Sequence, residues 1–235
     1  MRGVIRLNIV ELHIPYTFNG STDTIHPGLI AAGHELALVD AGYPGFLPLI
    51  EREMSRHGYD AAALTHIIVT HYDIDHIGAL HDFKAKYPHI RIIASEREAD
   101  AISGKRKSDR LIQAENMQKH LPEEQQEFGL WFIRQLKGLK AVPVDDTVRD
   151  GDSLFDGRCR VIETPGHTPG HISLHFPELD SVITGDAAVN ENGRLAIANP
   201  QFCLDPASAE QSLDKLRSLG AARYFCYHGG KLDMV

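Results

Sequence analysis

Cysteine is scarce in this chain. The three present among 235 residues, Cys159, Cys203 and Cys226, are odd in number, widely spaced and form no CxxC pair. That pattern suits a reducing compartment better than a disulfide framework. Cys159 and Cys226 lie in apolar, strand-like runs and are expected to be buried and inert. Long hydrophobic runs are missing as well, since nothing approaches the roughly 18 consecutive apolar residues of a membrane span. The opening stretch MRGVIRLNIVELHIPY is broken by Arg6, Asn8, Glu11 and His13 and lacks the uninterrupted core of a signal peptide, so a cytoplasmic location is expected. Positive charge is in deficit: 24 Lys+Arg against 32 Asp+Glu give a formal net charge of -8. This argues against nucleic acid as a partner, because such a partner calls for a basic surface. Repeats, linkers and low-complexity tracts are lacking too, and residues 1–235 read as a single domain.

What the chain does contain is a series of short apolar runs separated by turn and helix signals. They are VIRLNIV (4–10), LIAA (29–32), LALVD (36–40), HIIVT (66–70), RIIAS (91–95), CRVIET (159–164), HISLHF (171–176), SVITG (181–185) and RYFCY (223–227). Their length and β-branched content predict strands. Helices are predicted over 45–57, 77–87 and 206–219, the last with Asp205 as N-cap and Pro206 at the first helical position. Strands mixed with helices in this way indicate an α/β layered fold. Residues 96–140 stand apart as polar, rich in both charge signs and helical in pattern, and they carry the only tryptophan, Trp131. They read as a helical insertion, which either covers a site or packs on the sheet as two helices with no part in substrate choice. Its basic residues Lys105, Arg106, Lys107 and Arg110 are expected to form a solvated helix face, with attraction of an anionic substrate as the alternative.

Metal-capable side chains then fall at repeated places. HIIVT leads directly into His71, CRVIETPG into His167, SVITG into Asp186 and RYFCY into His228. Four strand-like runs therefore each deliver a candidate ligand at the C-terminal end, where α/β proteins collect their sites. The first continues as THYDIDHIG (70–78), with His71, Asp73, Asp75 and His76 within six positions. In an extended loop, alternate residues point the same way, so His71, Asp73 and Asp75 face one point while His76, opening the next helix, turns to a second. Seven candidates exceed the needs of one tetrahedral ion and suit two ions sharing a carboxylate.

At this point the chain resembles the metallo-β-lactamase superfamily. LVDAGY (38–43), THYDIDHIG, TPGHTPGH (164–171), TGDA (184–187) and CYHGG (226–230) are similar to its five motifs, in order and over nearly the whole chain. The resemblance implies a four-layer αβ/βα sandwich carrying the 96–140 insertion. It implies one divalent ion held by His71, His167 and Asp186, with Asp73 as a further candidate, and a second held by Asp75, His76 and His228, with Asp186 bridging. Asp40 would support the ligand loop without binding metal, His171 would be structural, and His26 would either reach the mouth of the site or sit in a loop. The chemistry implied is hydrolysis of a small-molecule ester, lactone, thioester or amide by a metal-activated water, with Asp75 as the catalytic residue that orients the water or takes up its proton.

One residue departs from the pattern, since Asp73 stands where the family has histidine. With Asp73 as a ligand, a third carboxylate lowers the net charge of two divalent ions and their carboxylates from +2 to +1. Its oxygen also shifts preference from zinc toward manganese or iron. Zinc is the expected metal, with these two as alternatives. Lactonases of the superfamily commonly place a tyrosine soon after the bridging aspartate, whereas here AAVN follows, with Val189 near that position. Flavodiiron proteins share the fold and carry a glutamate matching Asp73, so a di-iron oxidoreductase is the alternative function. A metal-binding protein without catalysis is a third.

Overall fold

The computed structural model describes residues 6–18 and 20–234. The chain opens with β1 (Leu7–Glu11), β2 (Ile14–Phe18), β3 (Ser21–Ile25), β4 (Gly28–Ala32) and β5 (Glu35–Val39), followed by α1 (Leu47–Arg56) and β6 (His66–Val69). Then come α2 (Ile74–Ile77), α3 (Leu80–Lys86), β7 (Arg91–Ser95), α4 (Glu96–Ile102), α5 (Asp109–Gln118) and α6 (Glu123–Gly138). The remainder holds β8 (Asp146–Val148), β9 (Ser153–Leu154), β10 (Cys159–Glu163), β11 (Ile172–Phe176), β12 (Ser181–Gly185), β13 (Val189–Glu191) and β14 (Arg194–Ala196). It ends with α7 (Pro206–Ser218), β15 (Arg223–Cys226) and β16 (Gly230–Asp233).

Two six-stranded sheets form the centre, one ordered β1-β4-β5-β6-β7-β8 and the other β16-β15-β12-β11-β10-β9. Strands β5 to β8 run parallel to one another, and β12 runs parallel to β15, so the C-terminal ends within each group share an edge. The side-chain period of two sorts each central strand between two cores. Leu38, Ile67, Val69 and Ile92 join Leu47, Ile50, Met54 and Phe83 in a core between the first sheet and its helices. Their neighbours Ala37, Val39, Ile68 and Ile93 face the other way, into a core between the sheets with Val161, Ile172, Leu174, Ile183 and Phe225. On the far side Val182, Tyr224 and Cys226 pack against Leu213 and Leu216 of α7. Helices, sheet, sheet and helix make the four-layer αβ/βα arrangement. Because these strands are buried on both faces, they read in the sequence as continuous apolar runs.

The expected strands are present. The first begins at Leu7, and residues 4 and 5 lie outside those described. In α7, Asp205 Oδ1 accepts from the backbone N–H of Ser208 at 3.1 Å and Pro206 opens the helix, as its sequence predicts. The predicted helix at 77–87 differs, because it is two pieces and the first starts at Ile74. Residues 96–140 form three helices, with α5 packed on α6. The middle of α6 meets the tip of the β2–β3 hairpin, where the rings of Trp131 and Phe18 lie 5.2 Å apart. Among the described residues, no helix is long and apolar enough to cross a membrane. All three cysteines are buried, and burial pushes the Cys226 thiol up to about 12.

Candidate metal centre

Strand ends bring the candidate ligands together at one edge of the two sheets. His71 follows β6, His167 follows β10, Asp186 follows β12 and His228 follows β15. The helix start at Ile74 changes the expected geometry of the first loop. Asp75 lies in the first turn of α2 next to His76, not on the extended alternation of His71 and Asp73. Six of the seven residues consequently divide into two groups, His71, His167 and Asp186 on one side and Asp75, His76 and His228 on the other.

Asp186 touches both groups. Its Oδ2 is 3.4 Å from His167 Nε2 and 3.5 Å from His228 Nε2, and its Oδ1 is 3.3 Å from His76 Nε2. Asp75 Oδ2 lies 3.2 Å from His228 Nε2 and 3.6 Å from His76 Nε2. Donor separations near 3.3 Å match the edge of a tetrahedron whose metal bonds are roughly 2.0–2.1 Å. The buried atoms His71 Nε2, His76 Nε2 and Asp186 Oδ1 have no hydrogen-bond partner. Buried polar atoms are otherwise almost always satisfied, so three lone-pair donors left open and converging fit divalent cations.

The surrounding hydrogen bonds aim these donors. Asp40, fully buried with a left-handed φ of 64°, accepts from the backbone N–H of Thr70 at 2.8 Å and from its hydroxyl at 2.8 Å. Its Oδ2 also accepts from His76 Nδ1 at 2.9 Å, which leaves Nε2 for the site. His171 is buried, with Nδ1 2.8 Å from the Thr164 hydroxyl, and its Nε2 accepts from the backbone N–H of Asp186 at 2.9 Å. It therefore places Asp186, the carboxylate that touches both groups, and both of its own ring nitrogens are engaged. His26 bonds through its backbone N–H to the Tyr227 carbonyl at 2.9 Å, with Nδ1 3.3 Å from the same oxygen, and belongs to neither ligand group.

Asp73 behaves differently from its neighbours. It occupies the N-cap position of α2, but its side chain makes no cap hydrogen bond. The carboxylate turns instead to Arg110, whose Nε lies 3.0 and 3.1 Å from the two oxygens and whose Nη2 lies 2.7 Å from Oδ2. The same Oδ2 is 3.0 Å from His167 Nε2 and 3.6 Å from His71 Nε2. Arg110 is therefore not part of a solvated face: it is 2% exposed and reaches the site from α5. Glu98 of α4 is also invisible to motif reading. Its carboxyl group, pushed up to about 8 by burial, accepts from the backbone N–H of Tyr72 at 3.2 Å, the Thr168 hydroxyl at 2.9 Å and the backbone N–H of Gly170 at 2.8 Å. It thereby ties the loop bearing His71 and Asp73 to the loop bearing His167.

The electrostatics follow from burying three aspartates beside these histidines. Burial opposes charge on His167 and His228, yet Asp186, with Asp73 and Asp75, outweighs it and pushes the two up to about 9 and about 10. Asp73 is held well below the usual carboxylate range, because Arg110, His167 and His71 overcome the cost of its burial.

A profile of the metallo-beta-lactamase superfamily matches residues 23–228. The chain belongs to this superfamily. It is similar to a hydroxyacylglutathione hydrolase of Brucella anthropi, 30% identical over 183 residues that cover 76% of this chain and 52% of that one. It is also similar to a probable metallo-hydrolase of Bacillus subtilis, 27% identical over 214 residues, 83% of this chain and 76% of the other. The chain thus spans about half the length of the hydroxyacylglutathione hydrolase it matches. Among solved structures, a metallo-beta-lactamase family protein of Thermus thermophilus superposes with a TM-score of 0.69 at 24% identity, covering 96% of this chain and 74% of that one. An archaeal superfamily protein of Sulfolobus tokodaii gives 0.66 at 21%, covering 96% and 81%. These structural likenesses concern the fold.

Two outcomes are expected. Glu98→Ala leaves the N–H groups of Tyr72 and Gly170 buried without an acceptor, at about 1–3 kcal/mol each. At about 2–4 °C per kcal/mol for a chain of this size, the melting temperature should fall by about 5 °C or more, as calorimetry would register. The second concerns pH. His167 and His228 have folded values above their unfolded one, so in metal-free protein their contribution to stability is complete below about 6.5 and lost as pH rises through about 9 and about 10. The melting temperature of metal-free protein should therefore drop between pH 7 and 10 more than that of protein incubated with zinc, in which an ion would take the place of those protons.

Proposed function

We propose that this superfamily member is a metal-dependent hydrolase of small-molecule esters or thioesters, working with two divalent ions that share Asp186. The observation that carries this reading is the convergence of the unpartnered buried atoms His71 Nε2, His76 Nε2 and Asp186 Oδ1. His71, His167 and Asp186 would hold one ion, and Asp75, His76 and His228, with Asp186, the other. Zinc is favoured by the histidine-rich donor set, with manganese or iron as alternatives. When bound, such ions supply a water that loses its proton near neutral pH and a Lewis acid for the electrophilic oxygen.

This chain's own residues do the rest. Asp75, held by a short hydrogen bond of 2.5 Å from the Tyr227 hydroxyl to its backbone carbonyl, presents its carboxylate to accept the proton of the attacking water. The hydroxyls of Tyr16 and Tyr43 lie 3.5 Å apart on the β2–β3 side. Burial raises both phenols above their ordinary value and Asp75 raises them further, so they stay protonated and able to donate to a substrate oxygen. No serine or cysteine nucleophile is called for. A thioester is the first class to test because the hydroxyacylglutathione hydrolase is the 30% identical relative. The di-iron alternative drew on Asp73 as a free iron ligand, and Arg110 holding both of its oxygens gives that reading no support.

The test is a panel of an S-hydroxyacyl glutathione thioester, a chromogenic ester, a lactone and a β-lactam, assayed with protein loaded with zinc or manganese. Hydrolysis of the thioester or ester is expected, with Asp75→Asn lowering kcat/KM by about 10² to 10⁴. Failure of the loaded protein on every member of the panel would overturn the assignment.

A further inference from the structure

The two ligand groups differ in the fixed charge that backs them. Behind His76, in the second group, stands the Asp40 carboxylate, 2.9 Å from Nδ1. Beside His167, in the first group, stands the Arg110 guanidinium, with Nη2 3.4 Å from Nε2. Asp73 Oδ2 lies closer still, 3.0 Å from the same nitrogen. An unpaired anion thus supports one pocket, whereas the anion beside the other is already paired with a cation.

Arg110 is firmly placed. Its helix α5 is capped by Ser108, whose hydroxyl accepts from the backbone N–H of Leu111 at 3.2 Å, and its first turn is tied to the ligand loop by the Tyr72 hydroxyl donating to Asp109 at 3.1 Å. Nη1 donates to Gln113 at 2.7 Å, and Nε with Nη2 grips the Asp73 carboxylate. A guanidinium does not lose its proton in a protein, so this charge is permanent. Nor is Asp73 free to offset it toward an ion. Its Oδ2 already faces Nη2, Nε and His167 Nε2, and its Oδ1 accepts from Nε, so an ion taking either oxygen competes with a bidentate ion pair.

We propose that Arg110 makes the two metal pockets unequal. By occupying both oxygens of Asp73 and setting a permanent positive charge beside His167, it turns the pocket of His71, His167 and Asp186 into a weak site. The pocket of Asp75, His76 and His228 fills first. At low free metal the chain carries one ion, and the dinuclear form appears only as metal rises. Arg110 acts here through Asp73 and His167 as a positioning and charge-setting residue. This inference rests on the reading of the cluster as a divalent-metal centre.

The test is calorimetric titration of chelator-dialysed full-length protein with zinc, joined to elemental analysis after gel filtration, so that metal affinity and not turnover is read. Wild type should retain one zinc per chain and show a second class at least about tenfold weaker. Arg110→Gln leaves Asp73 uncompensated and should strengthen the weak class at least about tenfold, about 1.4 kcal/mol, without moving the tight one. Asp73→Asn leaves Arg110 uncompensated and should weaken it further. The double variant D73N/R110Q, neutral and similar in shape, should return close to wild type. If R110Q does not fold, the comparison of D73N with the double variant makes the same test. Two equal classes in wild type, or a weak class that neither R110Q nor D73N moves, would overturn the proposal while leaving the metal-centre reading intact. Retention of no zinc at all would overturn both.

Discussion

Four aspartate carboxylates, Asp40, Asp73, Asp75 and Asp186, are drawn out of solvent at one edge of the two sheets, and charge buried to this extent requires compensation. Asp40 has the Thr70 backbone and hydroxyl and a ring N–H from His76. Asp73 has Arg110. Asp75 and Asp186 are left facing imidazoles. In metal-free protein that compensation comes from protons on His76, His167 and His228, all held above the ordinary imidazole range for this reason. Divalent ions would take the place of those protons, which couples metal affinity to pH and to the stability of the edge.

The remaining architecture serves that edge. Parallel strands in each sheet end at one side, so short turns can present His71, His167, Asp186 and His228 to a common centre without long loops. Shape is then held by groups outside the two clusters: Asp40 orients His76, His171 holds the Asp186 backbone, and Glu98 joins the loops bearing His71 and His167. Two of these, Asp40 and His171, sit at the ends of β5 and β11. Glu98 and Arg110 come from the helical insertion, which is therefore bound into the centre through α4 and α5.

Much of this can be read in the residues alone. Continuous β-branched runs such as HIIVT and SVITG mark strands buried on both faces, and a metal-capable residue after each run locates the edge before any coordinate is known. Asp205 followed by Pro206 announces α7 by local chemistry. Other features depend on distance in space. Arg110 lies 37 positions from Asp73, in a tract whose charges alternate in sign as solvated helices do, and nothing local distinguishes it from Lys107. Glu98 is hidden for the same reason. The start of α2 at Ile74 is obscured for another reason: Asp73 is a residue type that caps helices, but the alternation of His71, Asp73 and Asp75 mimics an extended loop running across it.

The central claim is that the open lone pairs of His71, His76 and Asp186 are aimed at metal. Crystals grown with zinc and measured on both sides of its absorption edge test this most directly. An anomalous peak about 2.0–2.2 Å from His76 Nε2, with His228 Nε2 and a carboxylate oxygen of Asp75 or Asp186 in the same shell, is the predicted result. A map with no peak at this edge, or zinc held only elsewhere on the molecule, would contradict the account.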